Sequence, residues 1–304
     1  MRVVALAGGT GSAKLLRGLA ALRAQLTVVA NVGDNYWVHG LYVCPDVDVA
    51  MYSLAGLADP GRGWGIAGDS FSVLGQLKRL GQETWFGLGD RDLATAILRT
   101  KLLGEGRSLT EITQRLCAQL GVKPQILPVT DSPVETHMVT RRGEMHLQEY
   151  WVRYRGRPAV ESVRYVGAEE ARPTALVRKA VSDADIVVLC PANPVSSIGP
   201  MLAVRGMKQL LSRCKGRKVA LSPMAGRAPF SGPAGKLMEA LGIRPDSFGV
   251  ASLYSGFIDE LVIDKRDRGL RAEIERLGVS CSLTDTFMAS GREERRLATV
   301  LTRA

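Results

Sequence analysis

The first thirty or so residues contain the pattern that most constrains the fold. Residues 2–7 are a short, continuous apolar run, and Gly8-Gly9-Thr10-Gly11 follows at once. The leucines between positions 15 and 26 recur at roughly helical spacing, and residues 26–30 are again apolar and β-branched. A strand, a loop, a helix and a second strand in so short a span are the building block of a parallel sheet covered by helices.

Later segments repeat this design. Residues 184–190 and 218–222 have apolar centres and are followed directly by Pro191 and Pro223. The C-terminal stretch predicts a helix to Leu277, a short strand at 279–281 and a helix from Glu293. In open parallel sheets, ligands bind at the carboxyl ends of the strands, so the loops that follow these strands are candidate site segments.

The middle of the chain has a different pattern of residue types. Residues 68–120 are helical in pattern, whereas 124–168 contain alternating segments at 135–140 and 145–152, with a predicted hairpin turn at Arg142-Gly143. We therefore expect an α/β protein with a single Rossmann-like parallel-sheet domain over residues 1–304. Residues 68–168 are predicted to form an inserted subdomain, mainly helical and partly antiparallel.

Composition excludes several classes of protein. Five widely spaced cysteines without a CxxC pair argue against a disulfide framework or a zinc site, and predict a reducing, cytoplasmic compartment. The net charge of +10 suggests an anionic ligand, but the basic residues are dispersed, which argues against nucleic acid. No apolar run reaches the roughly 18 residues of a membrane span, and the N-terminal apolar stretch is too short for a signal peptide.

The glycine loop is the first candidate site. Glycines let backbone amides approach a phosphate, the helix N-terminus adds partial positive charge, and Lys14 is placed to neutralise more charge. The pattern is neither GxGxxG nor a Walker A loop. The alternative is a tight strand–helix turn without a ligand.

Two further segments carry acidic groups. The second strand is followed by the polar loop Asn31-Val32-Gly33-Asp34-Asn35. Its side chains would either point into the ligand crevice or cap the next helix. In Pro45-Asp46-Val47-Asp48 the two carboxylates share a face if the chain is extended, and they would hold Mg²⁺ beside a diphosphate or supply a general base. A solvated acidic loop is the alternative.

A third candidate segment is Trp85-Phe86-Gly87-Leu88-Gly89-Asp90-Arg91-Asp92. Aromatic surface beside Arg91 suits a flat ring that carries acidic oxygens. Asp90 is predicted to be the N-cap of the helix that follows. Packing and capping without a ligand are the alternative.

Two loops after later strands complete the set. In residues 190–200 three prolines fix the backbone, while Asn193, Ser196 and Ser197 supply hydrogen-bonding groups for a ligand. Cys190 is expected to be an inert core thiol. The loops from Ser222 and from Ser231 are similar, and Lys236 is placed to reach a phosphate unless the second loop is only a helix start.

Together these segments resemble one family, the 2-phospho-L-lactate transferases of coenzyme F420 biosynthesis. The resemblance covers the whole chain in order. It rests on GGTG (8–11), NVGD (31–34), PDVD (45–48), WFGLGDRDLAT (85–95), the 127–131 loop, HLQEY (146–150), NPVSSIGP (193–200) and SGPAGK (231–236).

The resemblance implies a Rossmann-like core and a defined reaction. Family members take a guanosine diphosphate conjugate of a three-carbon acid and the deazaflavin alcohol Fo. The ribityl hydroxyl of Fo attacks the phosphorus on the acid side and GMP leaves, with Mg²⁺ required. The family also suggests a homodimer. Phospholactate, phosphoenolpyruvate and phosphoglycerate all remain open as the acid.

The resemblance also assigns roles to residues. Asp48 and Arg91 would be catalytic and would contact Fo, together with Trp85 and Asp90. Asn35 stands where many relatives carry a second Asp, and Ala192 replaces a common serine, which leaves Asp46 and Asp48 as the candidate metal ligands. The residues expected to bind phosphates and nucleotide are Gly8, Gly9, Thr10, Gly11, Lys14, Asn193, Ser196, Ser197, Gly199 and Ser222.

Two other functions compete. One is a non-catalytic nucleotide-sugar-binding regulator of the same superfamily, which shares the glycine loop, but the PDVD and GDRD segments argue against it. The other is a nicotinamide oxidoreductase, which would require GxGxxG and an acidic residue closing the second strand. Neither feature is present.

Overall fold

The chain alternates strands and helices along most of its length, in a computed structural model that describes residues 1–226, 228–229 and 232–303. The strands are β1 (Arg2–Ala7), β2 (Gln25–Ala30), β3 (Tyr36–Val38), β4 (Leu41–Val43), β5 (Gln125–Pro128), β6 (Glu135–Thr140), β7 (Gly143–His146), β8 (Val160–Val166), β9 (Ile186–Leu189), β10 (Arg217–Leu221), β11 (Met224–Ala225), β12 (Ala228–Pro229), β13 (Glu260–Asp264) and β14 (Ser280–Thr284). The helices are α1 (Gly9–Ala20), α2 (Pro45–Leu54), α3 (Ser72–Arg79), α4 (Asp90–Gly104), α5 (Leu109–Gln119), α6 (Ala175–Ser182), α7 (Ile198–Ala203), α8 (Met207–Arg213), α9 (Ala234–Ala240), α10 (Ser247–Tyr254), α11 (Arg271–Glu275) and α12 (Gly291–Thr302). A π-helical turn covers Glu149–Arg153 and a 3₁₀ turn covers Lys265–Leu270.

A seven-stranded sheet forms the core, and every neighbouring pair in it is parallel. The strand order is β5-β2-β1-β9-β10-β13-β14, so β1 lies between β2 and β9, with Ala5 opposite Val28 on one side and Val188 on the other. Helices cover both faces of such a sheet, which is why β1 is a continuous apolar run rather than an alternating one. The strand order reverses between β1 and β9, and the loops that follow these two strands form the expected ligand crevice.

The predicted Rossmann-like core is confirmed. Strands predicted at 2–7, 26–30, 184–190 and 218–222 correspond to β1, β2, β9 and β10. The sequence did not single out β13, whose acidic ends enclose only three apolar residues.

The antiparallel part of the prediction needs one correction. Strands β6, β7 and β8 form a three-stranded antiparallel sheet, and Thr140 pairs with Gly143 across the hairpin turn. The second arm ends at His146, whereas a strand had been predicted through Val152. The alternation of residue types continues past His146, but the backbone enters the π-helical turn at Glu149 and buries Tyr150 completely.

The predicted inserted region, residues 68–168, contains α3, α4, α5 and the antiparallel sheet. It also contains β5, which pairs in parallel with β2 at the edge of the main sheet. The interval therefore contributes one strand to the core, and the division into a domain and a subdomain stays a prediction. Among the described residues, no helix combines the length and the apolar character that crossing a membrane requires.

Helix α1 packs closely against the C-terminal helix α12. A side chain at Gly18 of α1 would overlap the carbonyl group of Glu294 in α12. The Glu294 carboxylate accepts hydrogen bonds from the Arg17 guanidinium, which ties the same two helices together. Glycine is required at position 18 because of this close approach rather than because of its backbone conformation.

This contact gives a stability prediction. We expect Gly18→Ala to lower the free energy of unfolding by about 1–3 kcal/mol, since the added methyl group must push α12 away. The matched control is Gly75→Ala in the exposed α3, where a Cβ meets nothing within 4 Å. That control should raise stability by roughly 0.4–1 kcal/mol. Urea denaturation of both variants checks the prediction, and equal effects would contradict it.

Candidate functional site

The glycine loop joins β1 to the N-terminus of α1. Gly8 is the extended N-cap residue, and no side chain caps the helix. The first turn of a helix leaves backbone N–H groups without intrahelical partners, which favours an anion. The Gly8 amide donates to Ser12 Oγ at 3.1 Å, and the Gly9 amide donates to Asp46 Oδ1 at 2.6 Å.

Two glycines of this loop allow other loops to approach it. A Cβ at Gly8 would lie 2.6 Å from Asp46 Oδ2 and 2.7 Å from Ser197 Cβ. A Cβ at Gly11 would lie 2.5 Å from the Pro191 carbonyl oxygen. The absence of side chains therefore brings the ends of β1 and β9 and the start of α2 together at one point.

Asn31 links two carboxylates beside the glycine loop. Its Nδ2 donates to Asp34 Oδ1 at 2.7 Å and to Asp46 Oδ2 at 2.8 Å. Burial raises the pKa of Asp46 to about 6. Burial and then the charge of Asp46 raise the pKa of Asp34 well above its usual value. Among the described residues, neither carboxylate forms an ion pair.

The prediction that Asp46 and Asp48 share a face is wrong. Pro45 occupies the first position of α2, so the segment is helical from its start and residues two apart point in different directions. Asp46 faces the glycine loop, whereas Asp48 forms a buried ion pair with Arg99 of α4. Arg99 is fully buried, and Asp48 Oδ2 has no hydrogen-bond partner among the described residues.

The loop after β9 is held in shape by its own asparagine. Asn193 Oδ1 accepts hydrogen bonds from the amides of Val195 at 2.9 Å and Ser196 at 3.2 Å. The other end of the same amide group, Nδ2, is buried and has no partner within the described part of the chain. An unpaired buried donor is costly, so this group is suited to an acceptor on a ligand.

A cavity of about 330 Å³ lies where these loops meet. Its wall includes Gly8–Gly11, Asn193, Ser196 and Ser197, all of them predicted nucleotide-binding residues. Asp34 and Pro223 also line it, as does the start of α9. The cavity therefore coincides with the crevice between β1 and β9.

Three residues predicted to bind the nucleotide lie outside this cavity. The Lys14 ammonium donates to the Met288 carbonyl at 2.9 Å. The Ser222 hydroxyl is fully buried and pairs with Ser247 Oγ at 2.9 Å. Gly199 leaves room for the Tyr165 hydroxyl, which donates to the Val195 carbonyl at 2.6 Å and so fixes the loop.

The predicted lysine of the SGPAGK segment also has protein partners. Lys236 Nζ donates to the carbonyl oxygens of Gly156 and Arg157, the second at 3.3 Å. Ser231, at the start of that segment, lies outside the described residues.

Trp85 lines a second cleft, of about 300 Å³, away from the glycine loop. Its ring lies 5.9 Å from the ring of Tyr36 and 5.9 Å from that of Phe86. Glu149 and Arg153 add charged groups to the wall. The predicted aromatic surface exists, and it is built by three segments rather than by residues 85 and 86 alone.

Asp90 and Arg91 lie where α3 meets α4. The predicted N-cap role of Asp90 is wrong for α4, whose N-cap is Gly89. Asp90 instead accepts hydrogen bonds from the Ser72 and Val73 amides, both at 3.0 Å, and so caps α3. Asp69 caps α4 in return through the Arg91 amide at 2.9 Å. The exposed Arg91 guanidinium donates to the Ala67 carbonyl at 3.1 Å.

Asp92 completes the buried group around Asp48. The Tyr52 hydroxyl donates to Asp92 Oδ1 at 2.8 Å. Burial, together with the charge of Asp48, raises the pKa of Asp92 to about 7. Asp92 therefore carries a proton at pH values where an ordinary aspartate is ionised.

The sequence named Asp34 only as part of a polar loop and did not single out Gln148, Trp64 or Trp151, all of which line the cavity. Gln148 Nε2 donates to the Asp34 carbonyl at 3.1 Å, which joins the antiparallel sheet to the cavity wall. The available sequence signals were the position of Asp34 after β2 and the HLQEY segment, which contains Gln148. The contribution of Gln148 depends on how the π-helical turn is placed.

The fold and the cavity define an α/β protein with a glycine-rich strand–helix loop at the switch point of a parallel sheet. The family model described as 2-phospho-L-lactate transferase CofD matches residues 3–286. The chain belongs to this family. A 2-phospho-L-lactate transferase from Methanosarcina mazei is 41% identical over 99% of this chain and 100% of the relative. A phosphoenolpyruvate transferase from Streptomyces griseus is 42% identical over 95% of this chain and 93% of the relative.

Solved structures agree on the fold. Two crystal structures of protein BH3568 from Bacillus halodurans, described as a member of the UPF0052 family, superpose with TM-scores of 0.65 and 0.66. Each is 16% identical in sequence, and the superpositions cover 99–100% of both chains. At that identity the likeness supports the fold alone.

The raised pKa of Asp92 predicts a pH-dependent stability. An ordinary aspartate titrates near 4, so the folded state binds this proton more tightly and the free energy of unfolding falls as pH rises from about 4 to 7. Asp92→Asn cannot ionise, and it should gain on the order of 1 kcal/mol or more relative to wild type across that window. Urea denaturation at pH 4.5 and pH 8 measures this.

The control is Asp183→Asn. Asp183 is exposed, and its hydrogen bond from Lys179 lowers the pKa of its carboxyl group. Replacing Asp183 should change the free energy of unfolding only slightly, and the small loss of stability should be greater at pH 8 than at pH 4.5. If the free energies of unfolding of Asp92→Asn and of wild type changed with pH in parallel, the raised pKa of Asp92 would be contradicted.

Proposed function

We propose that this protein transfers a phosphorylated three-carbon acid from its guanosine diphosphate conjugate to the ribityl hydroxyl of Fo, releasing GMP, in coenzyme F420 biosynthesis. The observation that carries the proposal is the meeting of the glycine loop, the Asn193 loop and Asp34 in one cavity, with Asp46 bonded to the Gly9 amide and joined to Asp34 through the Asn31 amide. Membership of the 2-phospho-L-lactate transferase family supports it. Relatives with two different names, for phospholactate and phosphoenolpyruvate, leave the acid open.

The donor diphosphate is assigned to the N-terminus of α1. Thr10 and Gly11 line the cavity there, and their backbone carries the partial positive charge of the helix end. Asn193 Nδ2, buried and unpartnered among the described atoms, is available to an oxygen of the nucleotide. Ser196 and Ser197 extend the same wall.

Mg²⁺ is assigned to Asp34 and Asp46. Carboxylate oxygens are suitable metal ligands, and both carboxylates accept a hydrogen bond from the Asn31 amide nitrogen. Burial raises the pKa of both, and the charge of Asp46 adds to the rise at Asp34. The pair thus differs from the Asp46 and Asp48 set that was expected from the sequence. Bound there, the metal would supply charge neutralisation for the diphosphate and the leaving GMP.

The acceptor Fo is assigned to the side of α4. The Trp85 cleft suits a flat ring, while Asp48 on α2 and Asp90 and Arg91 at the start of α4 lie outside the wall of the cleft. Asp48 Oδ2, buried and without a hydrogen-bond partner among the described residues, is assigned as the acceptor for the attacking hydroxyl. Burial raises the pKa of Asp48, and the Arg99 guanidinium opposes that rise. Phosphoryl transfer depends on positioning and charge more than on a covalent nucleophile, which agrees with a site built without a Ser-His-Asp group.

The assembly and compartment are part of the same proposal. We assign a cytoplasmic homodimer that binds no nucleic acid, on the basis of the family resemblance, the dispersed basic charge and five unpaired, buried cysteines. Light scattering on the purified protein tests the dimer, and a monomer at working concentration would exclude it.

The decisive assay compares three donors. Purified protein, Fo and Mg²⁺ are incubated with the guanosine diphosphate conjugate of phospholactate, phosphoenolpyruvate or phosphoglycerate. We expect at least one to release GMP and to yield a product whose mass equals that of Fo plus the phospho-acid minus one water, since only transfer joins the two in a phosphodiester. Omitting Fo is the control. Failure of all three donors, with binding of a nucleotide sugar instead, would identify the protein as a regulator.

Two variants test the acceptor side. Asp48→Asn and Arg91→Ala should lose most turnover, by about 10²-fold or more, because each removes a charge assigned to the reacting end of Fo. Lys101→Ala, on the same helix as Arg91 and exposed, is the matched control. Thermal denaturation verifies that all three are folded. Near wild-type rates for both site variants would refute the assignment.

A further inference from the structure

Two tryptophans in the wall of the 330 Å³ cavity are unusually exposed. Trp64 is 38% exposed and Trp151 is 42% exposed. Burying an indole is one of the larger gains available to a folding chain, and exposed apolar surface that lines a concave site commonly marks ligand contact. Neither tryptophan has a part in the binding scheme described above.

Trp64 is held by a loop with several internal contacts. Asp59 Oδ1 accepts hydrogen bonds from the amides of Gly61 at 2.8 Å and Arg62 at 2.9 Å. The same carboxylate forms an ion pair with the Arg62 guanidinium at 2.9 Å. That guanidinium lies 5.2 Å from the centroid of the Trp64 ring. The indole is therefore fixed by contacts on its own loop, and its exposure is not the result of a loosely attached segment.

Trp151 is held by the π-helical turn. Its neighbour Tyr150 is completely buried and donates its hydroxyl to the Gly156 carbonyl at 3.1 Å. Gly156 also packs closely on the indole, since a Cβ there would lie 2.8 Å from Trp151 Cζ3. π-helical turns occur often at functional sites because the extra residue redirects side chains. Here the turn anchors Tyr150 in the core and leaves Trp151 at the cavity.

We infer that Trp64 and Trp151 form a stacking surface for a planar heteroaromatic ring of the substrate. The inference rests on the proposed function, which supplies two such rings: the guanine of the donor, for which no ring contact is assigned above, and the deazaflavin of the acceptor, which would then lie here rather than in the Trp85 cleft. The indoles are fixed before the ligand binds, so little conformational freedom is lost on stacking. A cavity of this volume also falls in the range of small-molecule sites.

The test distinguishes the contribution of the ligand's ring to binding from that of its phosphates. Calorimetry measures binding of GDP, inorganic pyrophosphate and Fo, each with Mg²⁺, to the whole protein and to Trp151→Ala and Trp64→Ala. Stacking on an aromatic side chain predicts a loss of about 5- to 100-fold for the ligand whose ring is stacked. Pyrophosphate, which has no ring, should bind unchanged, and Trp151→Phe should recover most of the loss.

Phe287→Ala is the matched control, because Phe287 is 57% exposed and lies outside the cavity wall. Weakened GDP alone assigns the surface to guanine, and weakened Fo alone assigns it to the deazaflavin. Unchanged binding of both, or an equal loss of pyrophosphate, would overturn the inference. Ring-dependent binding of GDP without any transfer in the three-donor assay would keep the stacking surface and reject the transferase function.

Discussion

The close approach of three chain segments at Gly8 is the constraint on which the rest of the site depends. Asp46 and Ser197 occupy the space that any side chain at position 8 would need. This contact places the start of α2 and the loop after β9 against the end of β1, and the Asn31 amide then bonds both carboxylates. A larger residue at Gly8 would therefore disturb the phosphate loop, the acidic pair and the Asn193 loop at once.

The electrostatics of the cavity combine two opposite preferences. The N-terminus of α1 favours an anion, whereas Asp34 and Asp46 are negative groups with raised pKa values beside it. An anionic ligand and two ionised carboxylates repel each other unless a cation lies between them. Carboxylate oxygens suit Mg²⁺, so the cation proposed for this pair would balance the charges of the cavity.

Local patterns predicted the sheet well, because buried parallel strands and their glycine turns are recorded in consecutive residues such as 2–11. They failed where placement depends on distant partners. Asp90 caps α3 rather than its own helix, and Lys14 is bound by Met288, which is 274 positions away. Trp151 was not singled out because the alternation of residue types before it suggested a continuing strand, and only the buried Tyr150 shows why the backbone turns.

The placement of Asp46 and Asp48 in the first turn of α2 connects the two halves of the site. In an extended chain both carboxylates would face one ligand, but in α2 they point to different neighbours. Asp46 bonds the glycine loop of the parallel core, and Asp48 bonds Arg99 in the helical insertion. Removing one partner of a buried ion pair strongly destabilises a protein, because the other charge is left buried and unpaired. The Asp48–Arg99 ion pair therefore fixes α4 relative to α2. One helical turn thus sets the position of Asp48, assigned to the acceptor side, relative to Asp46, assigned to the donor side.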